Sequence, residues 1–142
     1  MFVCQNAGTG RGRCLIALAA FRPGDVIIRE APLLHVLEDP GADLALAALL
    51  VEAPSSIWSL ASNLSTNIDC LATEGRRSLA EDAKAVLSRL SEGLLSPVLH
   101  VKALNALARV RVNALTISDD YGKKVGIGIY TQAAMINHDC DP

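Results

Sequence analysis

Between residues 14 and 37 the apolar positions come in short bursts separated by turn formers. Cys14-Leu-Ile-Ala-Leu18, Asp25-Val-Ile-Ile-Arg29 and Leu33-Leu-His-Val-Leu37 have the length and aliphatic content of strands, and Arg22-Pro23-Gly24-Asp25 punctuates them. Proline presets one turn dihedral and glycine frees the next, so this tetrapeptide predicts a tight turn. Residues 1–40 are therefore expected to form an all-β amino-terminal segment. From Ala42 to about Leu115 the texture changes: Ala and Leu dominate, and charges fall between apolar residues at helical intervals. A helical segment over 41–112 is predicted. Within it Leu79, Ala83, Val86, Leu87, Leu90 and Leu94 share one helical face. Ser78 with Glu81 reads as a capping box, and Gly93 as a carboxy-terminal stop. Ser96-Pro97 opens a further helix, whose apolar face is expected to run through Val101, Leu104, Leu107 and Ala108 towards Val112. Beyond it, Leu115-Thr-Ile-Ser118 and Val125-Gly-Ile-Gly-Ile-Tyr130 flank the polar stretch Asp119 to Lys124 and predict a hairpin, so that 113–142 returns to β. The order β, helical, β predicts an α+β fold with the helical part as an insertion.

Composition narrows the function classes. A chain of 142 residues, 51 % hydrophobic and 20 % charged, is too apolar for a disordered chain and fits one domain. Thirteen basic against fifteen acidic side chains give a net charge of -2, which supplies no field to hold nucleic acid. The longest apolar runs, Cys14 to Phe21 and Leu44 to Val51, are eight residues each, well short of the roughly 18 to 20 that cross a bilayer. The amino terminus carries no basic stretch followed by an apolar one, so a cytoplasmic or nuclear location is expected. Four cysteines, none in a C-x-x-C pair, exclude a disulfide framework and a self-contained zinc finger.

Three places concentrate chemistry. Gly8-Thr9-Gly10-Arg11-Gly12-Arg13 offers bare backbone and two guanidinium groups able to grip a carboxylate; the bland reading is a solvated tail. Asn137-His138-Asp139-Cys140-Asp141-Pro142 gathers an amide, an imidazole, a thiol and two carboxylates, with His138 and Cys140 supplying two of the four ligands a structural zinc takes. A turn before Pro142 is its bland reading. Asn113, at the exit of an apolar helix, has to find partners if buried, with a carboxy-terminal cap as its bland reading, and His35 and His100 read as ordinary structural residues.

In this order the clusters resemble the SET domain of protein lysine methyltransferases. Gly10-Arg11-Gly12-Arg13-Cys14-Leu15-Ile16-Ala17 is similar to that family's opening G-x-G-R-G-L-F-A, and Phe21-Arg22-Pro23-Gly24-Asp25-Val26-Ile27 followed by Glu30-Ala31-Pro32 is similar to the turn and strand after it. Asn137-His138-Asp139-Cys140-Asp141-Pro142 resembles N-H-S-C-x-P-N, and Asn113-Ala-Leu-Thr-Ile with Val125-Gly-Ile-Gly-Ile-Tyr130 resembles the SMYD branch, here without its MYND finger. The resemblance implies a SET-type β-clip with a helical insertion, of which 1–142 is the front part and the closing strands and catalytic Tyr lie past Pro142; no catalytic residue is then expected within the chain, and the chain alone is expected to be inactive. It implies S-adenosylmethionine as cofactor, with Arg11, Gly12 and Arg13 at its methionine part and Asn137 and His138 at its adenine end. Asn113 and Tyr130 would line a channel for the lysine of a protein substrate, histone or non-histone, and Cys140 would ligate zinc where a post-SET site exists. The alternative is a non-catalytic interaction module, either a degenerate SET fold or an Ala/Leu-rich helical scaffold.

Overall fold

A computed structural model describes residues 2–6, 13–37, 40–90 and 96–136. Two strands, β1 (Phe2–Asn6) and β2 (Arg13–Ala17), pair antiparallel with Asn6 opposite Arg13 and Phe2 opposite Ala17. β2 meets the expectation for Cys14–Leu18; β1 adds a strand where the sequence pattern gave no signal, and it exists because β2 offers it a partner. The predicted turn forms: Asp25 N donates to the Arg22 carbonyl (3.0 Å), Arg22 N donates to Asp25 Oδ2 (2.7 Å), and Gly24 takes a left-handed φ of 93°. The strand expected over Asp25–Arg29 does not form. Val26 and Ile27 are 64 % and 54 % exposed, and without a neighbouring strand among the described residues β-branched content does not make a ladder. Chain direction is recovered at β3 (Leu34–Leu37).

Four helices follow: α1 (Ala42–Glu52), α2 (Ser55–Ser62), α3 (Thr73–Leu87) and α4 (Pro97–Asn113), with a short 3-10 helix over Ile68–Cys70. α1 stops before Pro54, which the following helix cannot tolerate in its interior but accepts at its start. α3 begins before the predicted capping box, so Ser78 sits exposed inside it rather than capping it. Its first turn is held otherwise: Glu74 grips Arg77 at 2.7 and 2.9 Å, and Arg76 reaches back to the carbonyls of Leu71 and Asp69, each at 3.0 Å. α3 ends at Leu87, and the expected stop at Gly93, with Leu94, lies outside the described residues.

α4 starts as predicted, with Ser96 Oγ accepting from Leu99 N (3.1 Å) and Pro97 in the first turn. Leu107 and Ala108 of the expected face are buried and Leu104 packs against the core, but the two ends of that face are not. Ala103, Ala106, Leu107, Ala108 and Val110 are buried, while Val101 is 59 % and Val112 43 % exposed. Three alanines accompany Leu107 and Val110 on the inward face because α1 and α3 both pack on α4, and small side chains let the three backbones approach. Leu46, Leu50, Leu79 and Val86 complete this core. Two cations of α4 then tie the elbow of the preceding helices: Lys102 Nζ donates to the Val51 carbonyl (2.7 Å) and lies 4.9 Å from the Trp58 ring, with Arg109 at 5.6 Å from the same ring. Arg111, in the last turn of α4, bridges Asp43 of α1 (3.1 Å) and Asp82 of α3 (2.9 Å). Partly exposed, these pairs each contribute at most about 1 kcal/mol, and they fix angle more than stability.

The chain returns to β as the sequence predicts. β4 (Ala114–Ser118) and β5 (Lys124–Ile129) form a hairpin closed by Asp119, whose Oδ1 accepts from Tyr121 N (3.0 Å) and Lys123 N (2.9 Å). β5 is central in the sheet β3-β5-β4, all antiparallel, and its fully buried Ile129 joins the helical core. The described residues thus form an α+β fold of four helices and two small antiparallel sheets. No helix among them is long and apolar enough to cross a membrane.

Candidate functional site

β5 delivers the chain to Tyr130 and then to a segment held by one carboxylate. Glu30 Oε1 accepts from Thr131 N (2.8 Å), Thr131 Oγ1 (2.7 Å) and Gln132 N (3.1 Å), and Oε2 accepts from Gln132 N (3.1 Å) and Ala133 N (2.9 Å). The three successive backbone N–H groups open a short 3-10 helix, Ala133–Met135, and would otherwise lack acceptors. Burial alone pushes the Glu30 carboxyl up, but the hydrogen bonds from Ala133, Thr131 and Gln132 outweigh it and hold the group below the usual carboxylate range. Stability from this clasp is therefore fully present above the unfolded-state carboxylate value and is lost as pH falls through the lowered folded value. Urea midpoints of the wild type and Glu30→Gln are expected to differ at neutral pH and to draw together in acid, where protonated Glu30, like the amide, sets a donor against the backbone N–H groups. A gap that persists unchanged in acid would contradict the clasp.

Beside this segment lies β2, from the other side of the helical part of the sequence. β2 contacts the Ala133–Met135 turn, and a cavity of about 380 Å³ lies between them. Phe2 and Leu15 line it from the β1–β2 hairpin, Leu60, Asn63 and Leu64 from the end of α2, and Thr131, Gln132 and Met135 from the segment after β5. Its walls are apolar with two primary amides, Asn63 and Gln132. The strand that Arg13 opens and the segment that leads to Asn137 are thus neighbours, although they are remote in sequence. Arg11, Gly12, Asn137, His138 and Cys140 themselves lie outside the described residues, and Arg13 is described in its backbone only.

Asn113 and Tyr130 flank the Ala114–Ile129 pair at one end of the β4–β5 ladder. Asn113 is buried, and its Nδ2 donates to the carbonyls of Ser65 (2.7 Å) and Arg109 (2.8 Å). One bond ties α4 to the chain after α2 and the other turns back onto α4's own backbone, so the amide nitrogen is committed to the fold. Tyr130 is half-buried, its ring over Gly128. A second cavity, about 680 Å³, opens where α3 ends and α4 begins, with Leu87, Leu90 and Pro97 as walls and Lys84 and His100 at its side. It lies in the helical part, apart from both motif-bearing ends. Among the described residues no three His, Cys, Asp or Glu side chains gather as a metal site, and Cys70 is an exposed free thiol.

Glu30 is the residue whose role the sequence pattern did not reveal. It reads there only as part of Glu30-Ala31-Pro32, beside Arg29, and nothing local marks it, since its donors lie a hundred positions on. No family model matches the chain, and none of the curated proteins matches it either.

Proposed function

We propose that the chain is the SMYD-like front part of a SET-type domain, organised as 1–40, a helical insertion over 41–112 and 113–142, and that its protein transfers a methyl group from S-adenosylmethionine to a lysine of a protein substrate. The single observation that supports this reading is the contact of β2, which carries part of the first family-like motif, with the Ala133–Met135 turn, which ends two positions before Asn137 in the sequence. The donor chemistry fits the cofactor. Its methionine carboxylate wants cations, which Arg11 and Arg13 would supply around Gly12; its adenine wants apolar faces and amide edges, which the cavity walls, Asn137 and His138 would supply. When bound, the cofactor provides a methyl on a sulfonium. The chain's own part is to hold the ligand, to keep water out of the apolar corner, and to align the acceptor amine past Asn113 and Tyr130.

Calorimetry on the full-length gene product tests this. S-adenosylmethionine is expected to bind with one site per chain, and Asn137→Ala to weaken it by about 1 to 3 kcal/mol through lost amide hydrogen bonds, with His35→Ala unchanged because His35 is exposed on β3. Equal affinity in wild type and Asn137→Ala sinks the site. Absence of any cofactor binding sinks the enzyme reading and leaves the interaction module, which the exposed Val98 and Val101 of α4 favour.

A further inference from the structure

The outer face of α4 repeats positions at intervals of three and four: Val98, Val101, Asn105, Ala108 and Val112. That is the spacing by which one helix seats another, with a single Asn as the residue that fixes register. Val98 is 79 % exposed, Val101 and Val112 are exposed as well, Asn105 is half-buried, and only the small Ala108 is buried. Three valines on one helix face, left in water, carry a cost that the packing of α4 on α1 and α3 does not remove.

Lys102 and Arg109 flank this stripe, seven residues and about 10 Å apart along the helix. Both lie against the Trp58 ring, and both bond to neutral acceptors. Lys102 donates to the Val51 carbonyl. Arg109 donates through Nη1 to the Asn105 carbonyl (3.2 Å) and Oδ1 (3.4 Å), and through Nη2 to the Ser62 carbonyl (3.5 Å). Its Nε is buried without an acceptor, and burial pulls the guanidinium below its ordinary pKa. Among the described residues no carboxylate pairs with either cation, whereas Arg111 on the same helix holds Asp43 and Asp82. Two partly desolvated positive charges thus stand beside an apolar stripe with no counter-charge from the described fold.

We propose that the outer face of α4 docks an acidic amphipathic helix of a partner protein, whose apolar residues cover Val98, Val101 and Val112 and whose carboxylates, two turns apart, reach Lys102 and Arg109. This stands apart from the methyltransferase reading and from its cofactor. Charge selects the occupant. α4 contains no Asp or Glu, so the same helix of a second copy, laid along it, offers the two cations nothing of opposite sign. An anionic lipid surface would satisfy the charges, but Asn105 in the middle of the stripe would then meet hydrocarbon, whereas across a helix pair it meets a polar group. Trp58 holds both cations in place ahead of binding, which lowers the ordering cost.

The test titrates the full-length protein into two fluorescein-labelled three-heptad peptides. Both carry valine and leucine at the core positions and one central asparagine; one has Glu and the other Lys at the flanking positions. Anisotropy is expected to show the Glu peptide bound with a micromolar Kd and the Lys peptide at least about tenfold weaker. Lys102→Glu combined with Arg109→Glu is expected to reverse that order. Val101→Glu, at an exposed position, is expected to weaken the Glu peptide at least about tenfold with an unchanged urea midpoint, and serves if the double variant fails to fold. Equal affinity for the two peptides, binding of neither, or an unchanged Kd in Val101→Glu overturns the proposal. Two other results overturn it in favour of a different occupant. Co-sedimentation with phosphatidylcholine–phosphatidylserine vesicles that Val101→Glu abolishes, with the Glu peptide unbound, assigns the face to a membrane. A concentration-dependent dimer in analytical ultracentrifugation that Val101→Glu abolishes assigns it to a second copy.

Discussion

Leu107→Ala is expected to destabilise the fold by about 3 to 5 kcal/mol, the upper part of the range for a buried leucine. Leu107 is fully buried on the face of α4 that packs against α1 and α3. The composition of that core sets the magnitude. Ala47, Ala48, Ala83, Ala103, Ala106 and Ala108 are all buried there, and alanine has no rotamer with which to move into a void. The backbones are already close, so the cavity left by the lost methine and two methyls cannot collapse and its cost adds to the lost transfer free energy. Urea unfolding followed by the fluorescence of Trp58, the single tryptophan, reads the change directly. Val101→Ala, at a position 59 % exposed, is the control and is expected to stay within about 0.5 kcal/mol. A Leu107→Ala loss below about 1 kcal/mol would show that the three helices do not meet as described.

The same alanines explain what the sequence could and could not convey about α4. Helical spacing placed the helix between Ser96 and Asn113 because the Ser-Pro start and the apolar period are local signals. The middle of its inward face, Leu104, Leu107 and Ala108, follows from that period, but Val101 does not belong to it, because hydrophobicity ranks Val101 above Ala103 whereas the packing of three helices selects for small size. A similar competition decided the β segment. Val26 and Ile27 carry more strand propensity than Phe2 to Asn6, yet only the latter form a strand, since pairing with a partner is a tertiary fact that no window of sequence contains. Turns were legible where the chemistry is self-contained, as at Arg22–Asp25 and Asp119–Lys123. Ser78 shows the reverse: its capping pattern with Glu81 is correct as a motif, but Glu74, Arg76 and Arg77 extend the helix past it. At the candidate site the motif residues are visible as unusual chemistry, and the carboxylate that holds the Thr131–Ala133 backbone is not. Glu30 finds its donors on the far side of β5, and no local pattern encodes that meeting.

Gly126→Ala is expected to cost about 2 to 3 kcal/mol, against the usual expectation that alanine in place of glycine gains a few tenths through a less flexible unfolded chain. Gly126 lies in the central strand, opposite Leu37 of β3 and Ile117 of β4. A Cβ there would collide with the Val36 carbonyl oxygen and stand 3.2 Å from Leu37 Cα. Both obstacles are backbone, so no side-chain rotation relieves them and β3 has to move off β5. Gly128 is the informative comparison, because its Cβ would meet Pro32 Cβ at 3.1 Å and the ends of Ile117 and Tyr130 at 3.2 Å, which are side chains with more room to give. Gly128→Ala is therefore expected to cost about 1 kcal/mol. The consequence reaches the candidate site through connectivity: β3 follows directly on Glu30 and Leu33, and β5 leads directly into Thr131, so splaying the two strands pulls the clasp apart. Urea unfolding should place Gly126→Ala below Gly128→Ala and both below wild type, with amide exchange at 131–136 accelerated most in Gly126→Ala. A Gly126→Ala protein as stable as wild type would mean that β3 and β5 are not in such close contact, and that the clasp is held in register by something other than this strand pair.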